Sequence, residues 1–246
     1  MSLNDYLHAI GTIDAVRVAL WLVAGAISLY FSLGSSRIWT SIAMGFLLVF
    51  VSEAYFLYPS EYPMISAMHS VVGTIAILTM THGLQEYYVF SRTLEAGGQR
   101  RWVYLAVLGT VAVSVGFLLV NPDPGDSTVR NIRMVENATW TFLAVINIDM
   151  IRKIHLQVRD TPVAPGFVAF AVTFALIFLW RGSALYLDVY GWDPAWEHIA
   201  RDAGITLDLD RYPGRVTIAR VTQQTAGILS SVAASGSFLY VLKLMR

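Results

Sequence analysis

The chain has 246 residues, of which 56% are hydrophobic and 14% are charged, and its mean hydropathy is +0.56. Its formal net charge of zero gives no basic footprint for nucleic acid, and its lack of cysteine excludes disulfides, iron–sulfur ligation and thiol catalysis. This composition is more apolar than that of ordinary soluble domains and predicts an integral membrane protein.

Apolar windows of roughly 20 residues, the length that a helix needs to cross a bilayer, recur along the chain. Gly, Pro, Asp and Ser cluster in the segments between them, where they end helices or turn the chain. No internal repeat or long connection divides the sequence, so residues 1–246 are expected to form a single all-α transmembrane domain. The seven predicted helices cover residues 15–34, 38–58, 63–90, 102–120, 134–154, 165–189 and 216–245.

The distribution of basic residues orients this seven-helix bundle. Lys and Arg in short loops favour the cytoplasmic side, and Arg37, Arg101, Arg159 and Lys243 all fall on one side of a seven-crossing protein. We therefore expect an outer N-terminus and a cytoplasmic C-terminus in a multi-pass protein of a prokaryotic plasma (inner) membrane. On the outer side, the amphipathic pattern of residues 193–203 predicts a short interfacial helix.

Several ionisable residues lie inside the apolar segments, where an unpaired charge costs about 2.5–3.5 kcal/mol even on lenient insertion scales. One group falls in the outer half of the predicted bundle. Two interpretations stay open for it: a buried ion-pair network that fixes helix packing, or an outward-facing polar pocket for a ligand, protons or a metal ion. In the metal interpretation, the ligands would be Glu53, His69 and Glu136. The whole group consists of Glu53, His69, Glu136, Arg181, Asp188 and Arg220.

A second group falls in the inner half of the bundle. His69 and His82 are about 20 Å apart along the third helix and some 140° apart around it, so they do not form a pair. His82 and His155, however, reach similar depth on the third and fifth helices, and two facing imidazoles are the axial ligands of a b-type haem. Glu86 shares the helix face of His82 and is placed either to hold a metal with it or to exchange protons beside a quinone.

The His82/His155 pair is similar in principle to the helix-borne histidine pairs of membrane cytochrome b subunits, including those of quinone-linked oxidoreductases. The usual paired spacing and a second histidine pair are absent. This similarity implies a membrane subunit of an electron-transfer or quinone-linked redox complex, with b-type haem and quinone as candidate cofactors. Its partners would be the lipid bilayer and other membrane subunits or further copies of the chain.

The alternative function is that of a haem-free receptor, sensor or accessory scaffold subunit whose outward-facing polar pocket is formed by the first group. Microbial rhodopsins share the seven helices and outer N-terminus, but Lys243, the only lysine of the last helix, lies at its cytoplasmic end. No retinal Schiff base is therefore expected. The sequence identifies no catalytic residue and leaves open whether the protein is an enzyme.

Overall fold

A computed structural model describes residues 12–34, 38–55, 63–93, 99–120, 125–190 and 213–244. Apart from short turns, these residues are helical, which confirms the predicted all-helical class. The predicted interfacial helix at residues 193–203 lies outside the described residues. Within the described ranges the seven helices are α1 (Thr12–Gly34), α2 (Ile38–Ala54), α3 (Pro63–Thr93), α4 (Arg100–Val120), α5 (Asp126–Val158), α6 (Ala164–Val189) and α7 (Pro213–Leu244).

Helix α5 differs most from its prediction. It begins at Asp126 rather than at residue 134 and ends at Val158 rather than at residue 154. The backbone N–H groups of Thr128 and Val129 both donate to the carbonyl of Gly125, so the chain is helical through the charged segment assigned to a connection. At about 50 Å, this helix is longer than the hydrocarbon core of a bilayer.

Six of the helices form a closed ring. Along the ring, α1 packs on α2, α2 on α3, α3 on α5, α5 on α6, α6 on α7, and α7 returns to α1. Helix α4 lies outside this ring against α3 and α2. Much of its apolar surface is consequently exposed, with Phe117 at 73% and Trp102 at 63%.

Four of the described helices are long and apolar enough to cross a membrane, as judged by length and composition. A further apolar helix, Trp39–Ala54, is shorter. Membrane crossing by the remaining helices and the orientation of the bundle stay predictions. The four long helices span Pro63–Thr93, Arg101–Val120, Ala164–Val189 and Gly214–Lys243.

Glycine allows α2 and α3 to pack very closely. A Cβ atom added to Gly83 would lie 2.6 Å from the backbone nitrogen of Ile42, and one added to Gly45 would lie 2.9 Å from that of Met80. Real Cβ atoms do not approach backbone this closely, so a larger residue at either position would push the helices apart. This packing fixes the α2–α3 edge of the ring.

Aromatic side chains fill part of the ring interior, and we call Trp21, Phe46, Phe170, Phe174 and Phe238 the aromatic core. The ring of Phe238 packs edge-on against Phe46 and Phe170, with centroids 4.8 and 5.1 Å apart. The void beside these rings measures about 10 Å³. That space is about the size of one water molecule.

Candidate functional site: a buried charged cluster

Arg181 lies at the centre of a group of ionisable side chains inside the ring. This α6 residue is 5% exposed, and its guanidinium lies between two fully buried carboxylates. Its Nη2 is 3.1 Å from Oε1 of Glu53 on α2, and its Nη1 is 3.0 Å from Oε1 of Glu136 on α5. One cation thus joins three helices, as the ion-pair interpretation of the sequence expected.

A second arginine completes the neutralisation of Glu53. The Nε atom of Arg17 on α1 donates to Oε2 of Glu53 at 2.9 Å, and its Nη1 is 2.9 Å from Oδ1 of Asp14. Arg220, the other arginine of the predicted outer group, lies half-buried on α7. Each oxygen of Glu53 therefore faces a different arginine.

Two tryptophan rings cover the central guanidinium. The Cζ atom of Arg181 lies 4.1 Å from the ring centroid of Trp180 and 5.1 Å from that of Trp140. Arg17 also lies against Trp180, at 5.4 Å. Such cation–π contacts stabilise a desolvated guanidinium, and the Trp140 ring is itself fixed because its Nε1 donates to the Gly73 carbonyl at 2.9 Å.

The imidazole of His69 on α3 is held by Ser52 on α2. Its Nδ1 is 2.8 Å from the Ser52 carbonyl oxygen, and the Ser52 hydroxyl donates to the carbonyl of His69 at 2.9 Å. The same nitrogen lies 3.0 Å from the Ser52 hydroxyl oxygen, so Ser52 contacts Nδ1 through both of its oxygens. The other ring nitrogen, Nε2, then faces Oε1 of Glu136 at 3.8 Å.

Glu136 sits in a space that a glycine provides. A Cβ atom added to Gly73 would overlap Oε1 of Glu136, so only glycine allows the carboxylate to reach this position. Although Arg181 is close enough to form an ion pair, neither Glu136 oxygen accepts a well-oriented hydrogen bond from a described residue. A fully buried carboxylate in this condition is uncommon in native proteins.

Asn137 connects this group to Asp188 near the end of α6. Its Oδ1 accepts from Nη1 of Arg181 at 3.4 Å, and its Nδ2 donates to Oδ2 of Asp188 at 2.8 Å. Arg133 lies 3.5 Å from the same Asp188 oxygen, and Arg130 donates to the Asp188 backbone carbonyl at 2.7 Å. Both arginines lie in the part of α5 that was predicted to be a connection.

Four residues of the predicted outer group therefore meet directly, and a fifth, Asp188, joins them through Asn137. Together with the second arginine, the four form what we call the charged cluster: Arg17, Glu53, His69, Glu136 and Arg181. Among the described residues, no group of three or more His, Cys, Asp or Glu side chains is arranged to hold a metal ion. The guanidinium between the two carboxylates gives an electrostatic reason, because it repels a second cation.

The predicted inner group lies in different surroundings. His82 has a side chain that is 59% exposed, and its Nε2 is 3.6 Å from Oε1 of Glu86. The other Glu86 oxygen, Oε2, accepts from the Ser41 hydroxyl at 2.9 Å. His155 is half-buried, and its Nδ1 lies 3.1 Å from the carbonyl of Ala164, across the turn between α5 and α6. The two imidazoles thus contact different elements.

Sequence reasoning missed several members of this network. Arg17 is an ionisable residue inside an apolar helix and carried the same signal as Arg181. Arg130, Arg133 and Asn137 repeat at the spacing of one helix face, which indicated that α5 begins before residue 134. Ser52 carried no comparable signal, because its role depends on the neighbouring helix.

Comparison of the chain with family models, curated proteins and solved structures finds no match. The function is accordingly inferred from the geometry of the chain itself.

Proposed function

We propose that the chain is a multi-pass membrane protein of the receptor, sensor and scaffold class, in which the charged cluster fixes the helix arrangement and responds to its surroundings. The observation that carries this proposal is the position of Arg181 between Glu53 and Glu136. Charges in a membrane interior are normally kept for function and paired with one another. Here they join α1, α2, α3, α5 and α6.

The proposed topology has seven crossings, with the N-terminus outside and the C-terminus in the cytoplasm of a prokaryotic cell. Four long apolar helices support the membrane location, and the basic residues of the short connections support the orientation. The 50 Å length of α5 allows its charged first turns to extend beyond the hydrocarbon core on the outer side.

Introduced cysteines test this topology, since the natural chain has none. Ser127 and Asp160 are exposed and lie at opposite ends of α5, so they suit single Ser127→Cys and Asp160→Cys variants. A membrane-impermeant maleimide should label Ser127→Cys in intact cells and Asp160→Cys only after permeabilisation. The reverse pattern would invert the orientation, and equal labelling of both variants in intact cells would refute the crossing of α5.

The second proposal is the redox subunit, with a b-type haem held by His82 and His155 and a quinone near Glu86. The exposed side chain of His82 supports a haem at the boundary with another subunit. An absorption spectrum of the purified protein separates the two proposals. Reduced b-type bands that disappear in both His82→Ala and His155→Ala would establish the redox subunit, whereas a protein without these bands supports the haem-free class.

A further inference from the structure

A cleft lies between α4 and α5, with α3 as its floor. Helix α4 packs on α3 and α2, outside the ring to which α5 belongs. Leu118 of α4 packs with Ala67 of α3 and Val129 of α5, so the three helices meet at this point. Beside it they leave an open cavity of about 450 Å³. Ligand pockets measure about 300–1,000 Å³, so the cleft is large enough for a small molecule.

Polar side chains from all three helices line this cleft. Thr74 belongs to α3, Ser114 to α4, and Thr128 and Asn131 to the first turns of α5. The other described residues that line it are valines and isoleucines of α3 and α5. An apolar cavity on which a few hydrogen-bonding groups converge is the usual form of a small-molecule site.

These polar groups keep hydrogen-bonding capacity that the described helices do not use. The Thr74 hydroxyl donates to the Ser70 carbonyl at 2.8 Å, which leaves its lone pairs free to accept. The side chains of Ser114, Thr128 and Asn131 form no hydrogen bond with another described residue. Polar groups removed from water are costly unless they are hydrogen-bonded, so a ligand with uncharged oxygen atoms would stabilise them.

The charges around the cleft favour an uncharged ligand. None of the described residues that line it is ionisable. Arg130 and Arg133 lie in the same turns of α5, but both contact Asp188 on α6. An anionic head such as a phosphate would therefore lie in the cleft without a cationic partner, which is costly at membrane depth.

The position of the cleft along α5 fits a molecule with a polar head and an apolar tail. Thr128 and Val135, two of the lining residues, are about 10 Å apart along the helix axis. In the proposed topology, the end at Thr128 lies nearer the lipid headgroups and the end at Val135 lies deeper in the hydrocarbon. A head with several uncharged oxygens matches the polar side chains, and an acyl chain matches the valines and isoleucines.

We propose that this cleft binds an uncharged glycerol lipid of the monoacylglycerol class. The glycerol hydroxyls and the ester carbonyl are the hydrogen-bonding partners of Thr74, Ser114, Thr128 and Asn131. The acyl chain lies against the apolar side chains of α3 and α5. This inference goes beyond the proposed function, because the cleft contains no residue of the charged cluster, and it rests only on the membrane location of the chain.

Equilibrium binding of tritiated monooleoylglycerol to the full chain in phosphatidylcholine nanodiscs tests the proposal. The wild type should bind the lipid saturably, above its partition into empty nanodiscs. Ser114→Ala and Thr128→Val should each weaken binding by about 2- to 10-fold, the effect of one lost hydrogen bond. Ser114→Phe should abolish saturable binding, because its ring occupies the cleft. The absence of saturable binding in the wild type would overturn the lipid site.

Val113→Phe is the matched control for Ser114→Phe. It adds a ring of the same kind to the neighbouring residue of α4, whose side chain is 60% exposed and does not line the cleft. Binding by Val113→Phe should equal that of the wild type. Equal binding by Ser114→Phe and the wild type would contradict the assignment of the lipid to this cleft.

Two competitors with chains of similar length test the head group. Lysophosphatidylglycerol with an oleoyl chain adds a charged phosphate, and octadecene lacks a polar head. Neither should displace monooleoylglycerol at equal concentration. Displacement by lysophosphatidylglycerol would refute the uncharged head, and displacement by octadecene would show that the cleft is only a groove for bilayer lipid chains.

Cysteine protection gives a second readout that does not depend on a bulky substitution. Asn131 is exposed and lines the cleft, whereas Ser127 is exposed on the same helix and does not line it. Monooleoylglycerol should slow the maleimide labelling of Asn131→Cys and leave that of Ser127→Cys unchanged. Equal slowing of both variants would indicate a general effect on the membrane and would contradict the site.

The labelling experiments also keep this inference separable from the proposed topology. No saturable binding, together with the predicted labelling of Ser127→Cys and Asp160→Cys, would remove the lipid site and leave the topology intact. Refuted crossing of α5 together with binding that is lost in Ser114→Phe would remove the topology and leave the lipid site.

Discussion

The charged cluster and the aromatic core lie in the same helix ring and are both almost fully buried, yet they stabilise it in different ways. In the aromatic core, the rings of Phe46, Phe170 and Phe238 contact one another pairwise, at interplanar angles from 46° to 86°. In the charged cluster, Glu53 and Glu136 share the guanidinium of Arg181, and Glu53 also pairs with Arg17. The free energy of unfolding should therefore fall in proportion to the apolar volume removed from the aromatic core. Removing one partner from the charged cluster instead leaves a buried charge uncompensated, which costs more.

The largest predicted effect is that of Arg181→Met. Methionine keeps much of the side-chain length but leaves two buried carboxylates without their shared cation and removes the cation–π contact with Trp180. Breaking a buried ion pair in this way costs about 3–5 kcal/mol. Chemical unfolding in detergent micelles should show a loss of that size in the free energy of unfolding.

Two further variants make this test specific. Arg92→Met removes an exposed arginine that also contacts an aromatic ring, Tyr88, and it should change stability by less than about 0.5 kcal/mol. Adding Glu53→Gln and Glu136→Gln to Arg181→Met should recover part of the loss, because the uncompensated charges are removed. Arg181→Met with wild-type stability would contradict the dependence of the charged cluster on its shared cation.

A smaller effect is expected for Gly73→Ala. The added methyl group would overlap Oε1 of Glu136, and a displaced carboxylate would lose its position against Arg181. Overpacking of this kind costs about 1–3 kcal/mol. Gly109→Ala is the matched control on α4, where nothing lies within 4 Å of an added Cβ, and it should be neutral or stabilising. Equal losses in both variants would show that the effect comes from the helix backbone and not from Glu136.

A graded loss is the prediction for the aromatic core. Phe46→Leu removes part of one ring while Phe170 and Phe238 keep their mutual contact at 5.1 Å. The free energy of unfolding should fall by about 1–1.5 kcal/mol. A loss as large as that of Arg181→Met would mean that the aromatic core also depends on a single residue and would remove the contrast between the two regions.

The sequence predicted the helices and the charged cluster to different degrees. The seven helices of the described ranges and most of their ends followed from apolar length and from the breakers between helices, because these signals are local. Glu53, His69, Glu136 and Arg181 were recognised because a charge in an apolar segment must find a partner. Which charge pairs with which depends on helix order around the ring, and the position of α4 outside the ring has no local signature.

The charges near the start of α5 are the reason that its first residue was predicted wrongly. Arg130 and Arg133 made the segment before residue 134 resemble a connection, although Asp188 on α6 supplies their partner and allows the helix to begin earlier. Tertiary contacts thus override a hydropathy pattern at the helix end where most charges lie. The pairing of Arg17 with Glu53 was missed for a related reason, since it joins residues 36 positions apart on different helices.

The smallest predicted effect tests whether an uncharged buried polar group, Asn147, stabilises the helix ring as the ion pairs do. Asn147 is fully buried on α5, on the same helix face as Glu136 and Trp140, and neither its Oδ1 nor its Nδ2 has a hydrogen-bond partner among the described residues. Replacing such a group with an apolar residue of similar size removes an unsatisfied amide, so Asn147→Leu should be neutral or more stable by up to about 1 kcal/mol. Chemical unfolding beside Arg181→Met makes the comparison direct. A loss above about 1 kcal/mol would show that Asn147 is satisfied by a buried water, and that the ring depends on polar groups beyond its charges.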